Sequence, residues 1–344
     1  MAYTTINKPS DYFNTKLYTG TGATQSITGV GFQPDFTWIK GRTYIEDHML
    51  QNSISGSIKT LRSNSTGAEY TPTGGLSSFD ADGFSIGSDV AMNKVSESMC
   101  SWNWLADNTS GSSNTDGSIT STVSANTTSG FSIVSYTGTN ASATVGHGLG
   151  AVPKVIIVKC RTTVDNWGVY TAMTGNTSKL RLNGSNATIT GVSSWDSTTP
   201  TSSVFSLGAD TEVNNTSATI AYCFAEVKGF SKFGSYTGNG STDGTFVYTG
   251  FKPAFVMIKC TSSGTTQWRM YDDKRDTYNP VYKELNANTS DAENASTRYH
   301  DFVSNGFKMR DTNVNTNGSG STYIYMAFAE NPLVGTNNIP TTAR

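Results

Sequence analysis

Histidine and carboxylate side chains are the first places to look for chemistry, and here both are sparse. His48, His147 and His300 stand about a hundred residues or more apart. A Ser-His-Asp triad needs a base held by a carboxylate beside an activated hydroxyl, and this spacing offers no such grouping. His147 sits in a Gly-His-Gly turn, which suits a contact or a turn better than a proton shuttle. The phosphate-cradling pattern Gly-x-x-x-x-Gly-Lys-Ser/Thr is absent, so nucleotide chemistry has no support. Two acids several ångströms apart could cleave a glycan. The densest acidic run, Asp272-Asp273-Lys274-Arg275-Asp276 with Glu284 following, interleaves its own cations, so a solvated, internally paired loop is the simpler account. Asp80-Ala81-Asp82-Gly83 opens like a calcium loop but has no closing acid, and reads as a turn. Cys100, Cys160, Cys223 and Cys260 form no CxxC pair and have no histidine neighbour, which argues against zinc and for reduced, buried fillers. No catalytic residue, cofactor or metal is expected.

Tryptophan offers recognition chemistry instead. Trp167 and Trp268 lie 14 and 15 residues after Pro153 and Pro253, where the first third of the chain carries His48. Exposed rings stack on sugar faces and anchor interfaces. Trp167, Trp195, Trp268 and His147 are therefore the candidate surface-recognition residues, and packing inside a β core is the competing role for the tryptophans.

The elements that must position these residues are repeated. Tyr18-Thr19-Gly20, Tyr136-Thr137-Gly138 and Tyr236-Thr237-Gly238 lead after 16, 17 and 17 residues to Pro34, Pro153 and Pro253, and each proline opens an apolar run ending in Lys40, Lys159 or Lys259. A third block, beginning at Gly83, Val204 and Gly306, alternates with period 2, and a fourth runs through Trp102-Trp104, Tyr222-Phe224 and Met326-Phe328. Short strands between glycine-marked turns, with no amphipathic helix of three turns, predict an all-β chain of three tandem antiparallel β-sandwich or jelly-roll-like repeats. Only Tyr278 to Ala287 leaves room for a short helix.

The expected organisation is a lead or anchor at 1–11, repeats at 12–106, 130–226 and 229–330, a Ser/Thr/Gly/Asn-rich linker at 107–129 with one strand near Ser118 to Val123, and a tail at 331–344. Each repeat has the size of a domain that folds alone, and the linker leaves the first freer than the other two. Net charge is −2 with 15% charged and 11% aromatic residues, which suits a folded, weakly charged surface and offers no footprint for nucleic acid or anionic lipid. The start of the chain lacks a basic stretch followed by an apolar one, and no window approaches a membrane span, so synthesis in the cytosol without membrane insertion is expected.

The opening Met1-Ala2-Tyr3-Thr4-Thr5-Ile6-Asn7-Lys8-Pro9-Ser10, the phrase Gly31-Phe32-Gln33-Pro34-Asp35-Phe36-Thr37-Trp38-Ile39-Lys40, the middle Gly146-His147-Gly148-Leu149-Gly150-Ala151-Val152-Pro153 and the ending Tyr323 to Pro332 resemble a family of repeat-containing virion proteins of marine tailed bacteriophages. The resemblance covers the whole chain. It implies a non-enzymatic structural protein on the virion, tail-fibre or appendage-like, made in the host cytoplasm. Its implied partners are other virion proteins, a host surface glycan or protein, and two further copies in a homotrimer. A capsid decoration protein is the alternative, and a glycan depolymerase the reading from another class.

Overall fold

The computed structural model describes residues 3–335, 337 and 339, the side chains of 296–298 excepted. Regular structure is almost entirely strand. Helix is confined, among the described residues, to a 3-10 turn at Pro9–Asp11 and two single turns, α1 (Val90–Asn93) and α2 (Thr211–Asn214). The first stretch holds β1 (Phe13–Thr19), β2 (Gln25–Thr28), β3 (Phe36–Gly41), β4 (Met49–Asn52), β5 (Leu76–Asp80), β6 (Gly83–Ile86) and β7 (Ser98–Trp104). Then come β8 (Ser112–Asn114), β9 (Ser121–Asn126), β10 (Phe131–Thr137), β11 (Ala143–Gly146), β12 (Pro153–Cys160), β13 (Gly168–Thr171), β14 (Ser178–Arg181), β15 (Ile189–Thr190), β16 (Val204–Leu207) and β17 (Ala218–Ala225). The last stretch holds β18 (Ser231–Thr237), β19 (Phe246–Tyr248), β20 (Phe251–Cys260), β21 (Arg269–Asp272), β22 (Val281–Asn286), β23 (Asn294–Val303), β24 (Gly306–Met309) and β25 (Thr322–Pro332).

One pairing order occurs three times: β1-β7-β3-β4, β10-β17-β12-β13 and β18-β25-β20-β21, all antiparallel. A second group of strands covers one face of each, namely β2-β6-β5, β11-β16, and β19-β24-β23, the last continuous with its large sheet through β22. The post-proline runs are apolar at consecutive positions because they are buried on both faces. Ile156 and Val158 of β12 pack with Phe205 and Leu207 of β16, whereas Val155 and Ile157 point the other way. That other face is shared. One buried cluster unites Phe36, Trp38 and Trp104 with Phe131, Ile157 and Phe224 and with Phe255, Met257 and Phe328. Period 2 along a strand separates the two sets of side chains without further help.

Four expectations change here. The polar stretch 107–129 is not slack: β8 and β9 add to the edge of the second large sheet beside β10. A strand at a sheet edge needs few apolar residues, so Ser/Thr/Asn composition hid it. Tyr278 to Ala287 holds the strand β22 and no helix, and a β-bulge between Val281 and Lys283 lets Val281 and Leu285, four residues apart, join two different buried clusters. Residues 3–11 of the expected lead are packed on the chain itself, with Ile6 in the shared cluster and the Tyr3 hydroxyl donating to the Gly250 carbonyl at 2.8 Å. Of the expected tail, Pro332 still belongs to β25, while residues 336, 338 and 340–344 lie outside the described residues.

Candidate functional site

The repeated Tyr-Thr-Gly signature forms a latch. The tyrosine hydroxyls donate to the carbonyls of Met92 at 2.7 Å, Val213 at 2.5 Å and Thr316 at 2.6 Å. The next residue in each case is an asparagine, Asn93, Asn214 or Asn317. Its side-chain oxygen accepts from the backbone N–H of Thr21 (2.7 Å), Thr139 (2.8 Å) or Asn239 (3.1 Å). Its amide donates to the carbonyls of Ala23 and Gly87, of Ala141 and Gly208, or of Ser241 and Asp311, Asn317 also reaching Asn239 Oδ1 at 3.0 Å. Each glycine is required by contact: a Cβ at Gly20, Gly138 or Gly238 would lie 2.1, 2.1 or 2.4 Å from a backbone oxygen. The asparagines escaped the sequence reading, although they stand four or five residues before β17, and before β7 and β25, respectively.

The lysines closing the post-proline runs share the face of the common core with Phe36 and Trp38 or their counterparts, and they are fully buried. Lys40 Nζ donates to the carbonyls of Gly41 (2.9 Å) and Ser290 (3.3 Å), Lys159 to Cys160 (2.8 Å) and Thr163 (3.3 Å), and Lys259 to Cys260 (2.9 Å), Thr266 (3.0 Å) and Ser185 (3.2 Å). Burial pushes each ammonium down to about 8. Ser290 and Ser185 belong to a different stretch from the lysine that reaches them, so two of the three lysines join stretches.

Two residues beyond each lysine the joint continues. The N–H groups of Glu293, Glu69 and Thr188 donate to the carbonyls of Arg42, Arg161 and Thr261 at 2.7, 2.7 and 2.9 Å. Arg42 and Arg161 add bidentate bonds of 2.7 and 2.8 Å to Glu293 and Glu69, which Thr261 and Thr188 cannot make. The contacts therefore run from the first stretch to the third, from the third to the second and from the second to the first. A ring of aromatics marks where the three meet: Trp104, Phe224 and Phe328 are mutually 6.4, 6.1 and 5.8 Å apart, each pair edge to face.

The expected recognition residues are part of this interior. Trp167 and Trp268 are 0% and 2% exposed, and their indole N–H groups donate to the carbonyls of Arg62 (3.0 Å) and Arg181 (2.9 Å) in the neighbouring stretch. His48 does the same work in the first stretch, its Nε2 lying 2.9 Å from the Asn286 carbonyl while Nδ1 accepts from Trp38 Nε1 at 2.8 Å. That pairing fixes the neutral tautomer with the proton on Nε2, and burial holds its pKa well below the usual range. Trp195 is buried against Tyr170 and donates to the Ser178 carbonyl at 3.0 Å. His147 is buried too, with Nδ1 accepting from Leu149 N and Nε2 3.2 Å from the Thr201 carbonyl. None of the four faces solvent, so none can stack on an external ligand. Apolar burial and a satisfied N–H are worth more to these rings than exposure.

The acidic run is internal rather than solvated. Asp272 and Arg275 form a fully buried pair at 2.6 Å, Trp102 Nε1 donates to Asp272 at 3.1 Å, and Arg275 extends to Glu293 at 3.2 Å. Asp82 sits in the expected turn, accepting from the N–H groups of Gly29 and Gly31 at 2.9 and 2.7 Å. Ser85 stands in Gly-x-Ser-x-Gly spacing between Gly83 and Gly87, but it lies within β6 and its hydroxyl meets Asp80 (2.6 Å) and Ser26 (2.9 Å), with no histidine among its partners. Among the described residues, no three His, Cys, Asp or Glu side chains gather closely enough to hold a metal. The four cysteines are buried and unpaired.

One solvent-facing feature combines aromatic rings with hydroxyl groups. An open groove of about 530 Å³ runs between residues 3–5, the turn at Thr127 and Thr128, and residues 226–228. Lys228 Nζ lies 4.3 Å from the Tyr3 ring centroid, and the Tyr3 and Tyr248 hydroxyls meet beside Gly250. From there Tyr248 and Phe246, exposed at 53% and 45%, continue along β19. No helix among the described residues is long and apolar enough to cross a membrane. No curated protein and no solved structure matches the chain. A domain of unknown function, DUF7483, matches residues 8–332, nearly the whole chain, so the protein belongs to the DUF7483 family.

Proposed function

We propose that the chain is a rigid structural protein on the outside of a tailed phage particle, built as three antiparallel β-sandwich repeats around an approximate threefold axis. Its most favoured place is a tail fibre or appendage that contacts the host surface. The observation that carries this reading is the closed circuit of joints from Arg42 to Glu293, Thr261 to Thr188 and Arg161 to Glu69, which turns the repeated residues to interior bonding. A chain whose repeated polar groups all brace one another is suited to bear load and present a surface. The likeness of its opening, middle and ending phrases to phage virion proteins points the same way.

The threefold arrangement also favours a second seat, a capsid decoration protein at a threefold lattice position, where binding would stabilise the shell by mass action. Homotrimer formation belongs to the fibre reading and would use surfaces outside the three internal joints. Electron cryo-microscopy of particles labelled with a specific antibody tests the placement: label at the tail supports the fibre, regular occupancy of the shell supports decoration, and unlabelled particles contradict both. New reducing ends after incubation with host polysaccharide would transfer the protein to the glycan-cleaving enzymes.

A further inference from the structure

The three stretches supply an internal control for the solvent face of β19. Register against the third block aligns Val247 with Val145 and Ile27, opposite Phe307, Phe205 and Phe84. Phe246 and Tyr248 therefore occupy the positions held by Ser26 and Thr28 in the first stretch and by Thr144 and Gly146 in the second. The second stretch covers this edge with its own chain: Ser118 N donates to Thr144 Oγ1 at 2.8 Å, and Ile119 N to the Thr144 carbonyl at 2.9 Å. The fold thus needs no ring at either position, and two half-exposed rings side by side cost solubility without filling a core.

Three of the cations around them are matched by acids, and a fourth sits over a ring. Lys308 pairs with Asp243 at 2.5 Å, Arg310 with Asp301 at 2.6 Å and Lys232 with Glu226 at 2.6 Å, and Lys228 lies over Tyr3. Such a border gives alternating donors and acceptors with little net field, which suits an uncharged ligand rich in hydroxyls and gives an anionic one small advantage. The adjoining groove is lined by the hydroxyl-bearing residues Tyr3, Thr5, Thr127 and Thr128.

We propose that this groove, with Tyr248 and Phe246 as a stacking platform, binds a neutral saccharide chain. Ring faces would take the sugar C–H surfaces while threonine and tyrosine hydroxyls and the paired charges bond its hydroxyls. The proposal deepens the host-contact reading above and rests on it for the source of the sugar.

The test uses the full chain on an array of neutral and anionic oligosaccharides, with affinities of retained sugars measured by calorimetric titration. At least one neutral chain is expected to bind. Phe246→Ser with Tyr248→Thr, which installs the first stretch's residues, is expected to lower its affinity at least 10-fold with an unchanged melting temperature. Thr128→Trp, which fills the groove, is expected to do the same. Retention of no neutral sugar, retention of anionic sugars alone with loss at 0.5 M salt, or full affinity in both variants overturns the proposal. Tail labelling without sugar binding would remove the groove's role and leave the fibre, whereas sugar binding with label on the shell would do the reverse.

Discussion

Arg161 grips Glu69 across 92 residues of sequence through two parallel bonds of 2.7 and 2.8 Å, while the Glu69 N–H donates back to the Arg161 carbonyl at 2.7 Å. Arg42 and Glu293 reproduce the arrangement, and Thr261 and Thr188 keep only its backbone bond. Two of three equivalent joints are thus charge-assisted. Both ion pairs are mostly shielded, so breaking them should cost more than breaking a surface pair. Arg161→Met is expected to destabilise the protein by about 1–3 kcal/mol, and a double-mutant cycle with Glu69→Gln to return a coupling of roughly 1–2 kcal/mol. Urea melts of the four proteins check this, and additive single effects would contradict it.

The latch glycines make a sharper prediction. Gly138→Ala would drive a Cβ to 2.1 Å from the Asn215 carbonyl oxygen, which cannot move without displacing the turn before β17. A loss of more than about 3 kcal/mol is expected, against about 1 kcal/mol for Gly150→Ala, where space is open and only a positive φ of 67° opposes the change. Equal losses at the two positions would show that contact does not distinguish them.

Tyr136→Phe isolates the latch hydrogen bond. The hydroxyl is buried and donates to Val213, so its removal leaves a buried carbonyl with one partner fewer. The expected cost is about 1–2 kcal/mol with the fold retained by circular dichroism. No change in the urea midpoint would remove the tyrosine from the latch.

The buried lysines give the protein a pH signature. Lys40, Lys159 and Lys259 are lowered to about 8 in the folded chain, so above that pH the unfolded state holds more protons. Stability should therefore rise as pH climbs from about 8 towards the ordinary lysine range near 10.4. Burial raises Cys100, Cys223, Tyr136 and Tyr236, which acts in the opposite sense once unfolded thiols and phenols begin to ionise above about pH 8.5–9. A rise between pH 7.5 and 8.8 followed by a fall is expected in chemical denaturation, and Lys159→Met should flatten the rise by about a third, as one of three such groups. An unchanged slope in that variant would dissociate the lysines from the effect.

The strands were legible because their signals are local. Alternation in Gly83 to Ile86 and the double-sided run at Val155 to Val158 report which faces are covered, and proline and glycine mark where they begin and end. What covers them was not legible. Trp167 looks the same in sequence whether its indole meets a sugar or the Arg62 carbonyl 105 residues away. The strands within 107–129 were hidden by polar composition, which an edge strand tolerates. Repetition at 100 to 120 residues announced three related pieces but carried no information on the shared face, because Phe36, Ile157 and Phe255 meet only where three separate sheets come together.

The shared face makes the central claim testable in one measurement. If Trp104, Phe224 and Phe328 close a common core, every stretch loses the cover of its shared face when another unfolds, and the chain melts as a unit. Differential scanning calorimetry should give one endotherm whose calorimetric and van't Hoff enthalpies agree. Two or three resolved transitions, or a calorimetric enthalpy several times the van't Hoff value, would mean that the stretches are independent and the interlocked scaffold does not exist.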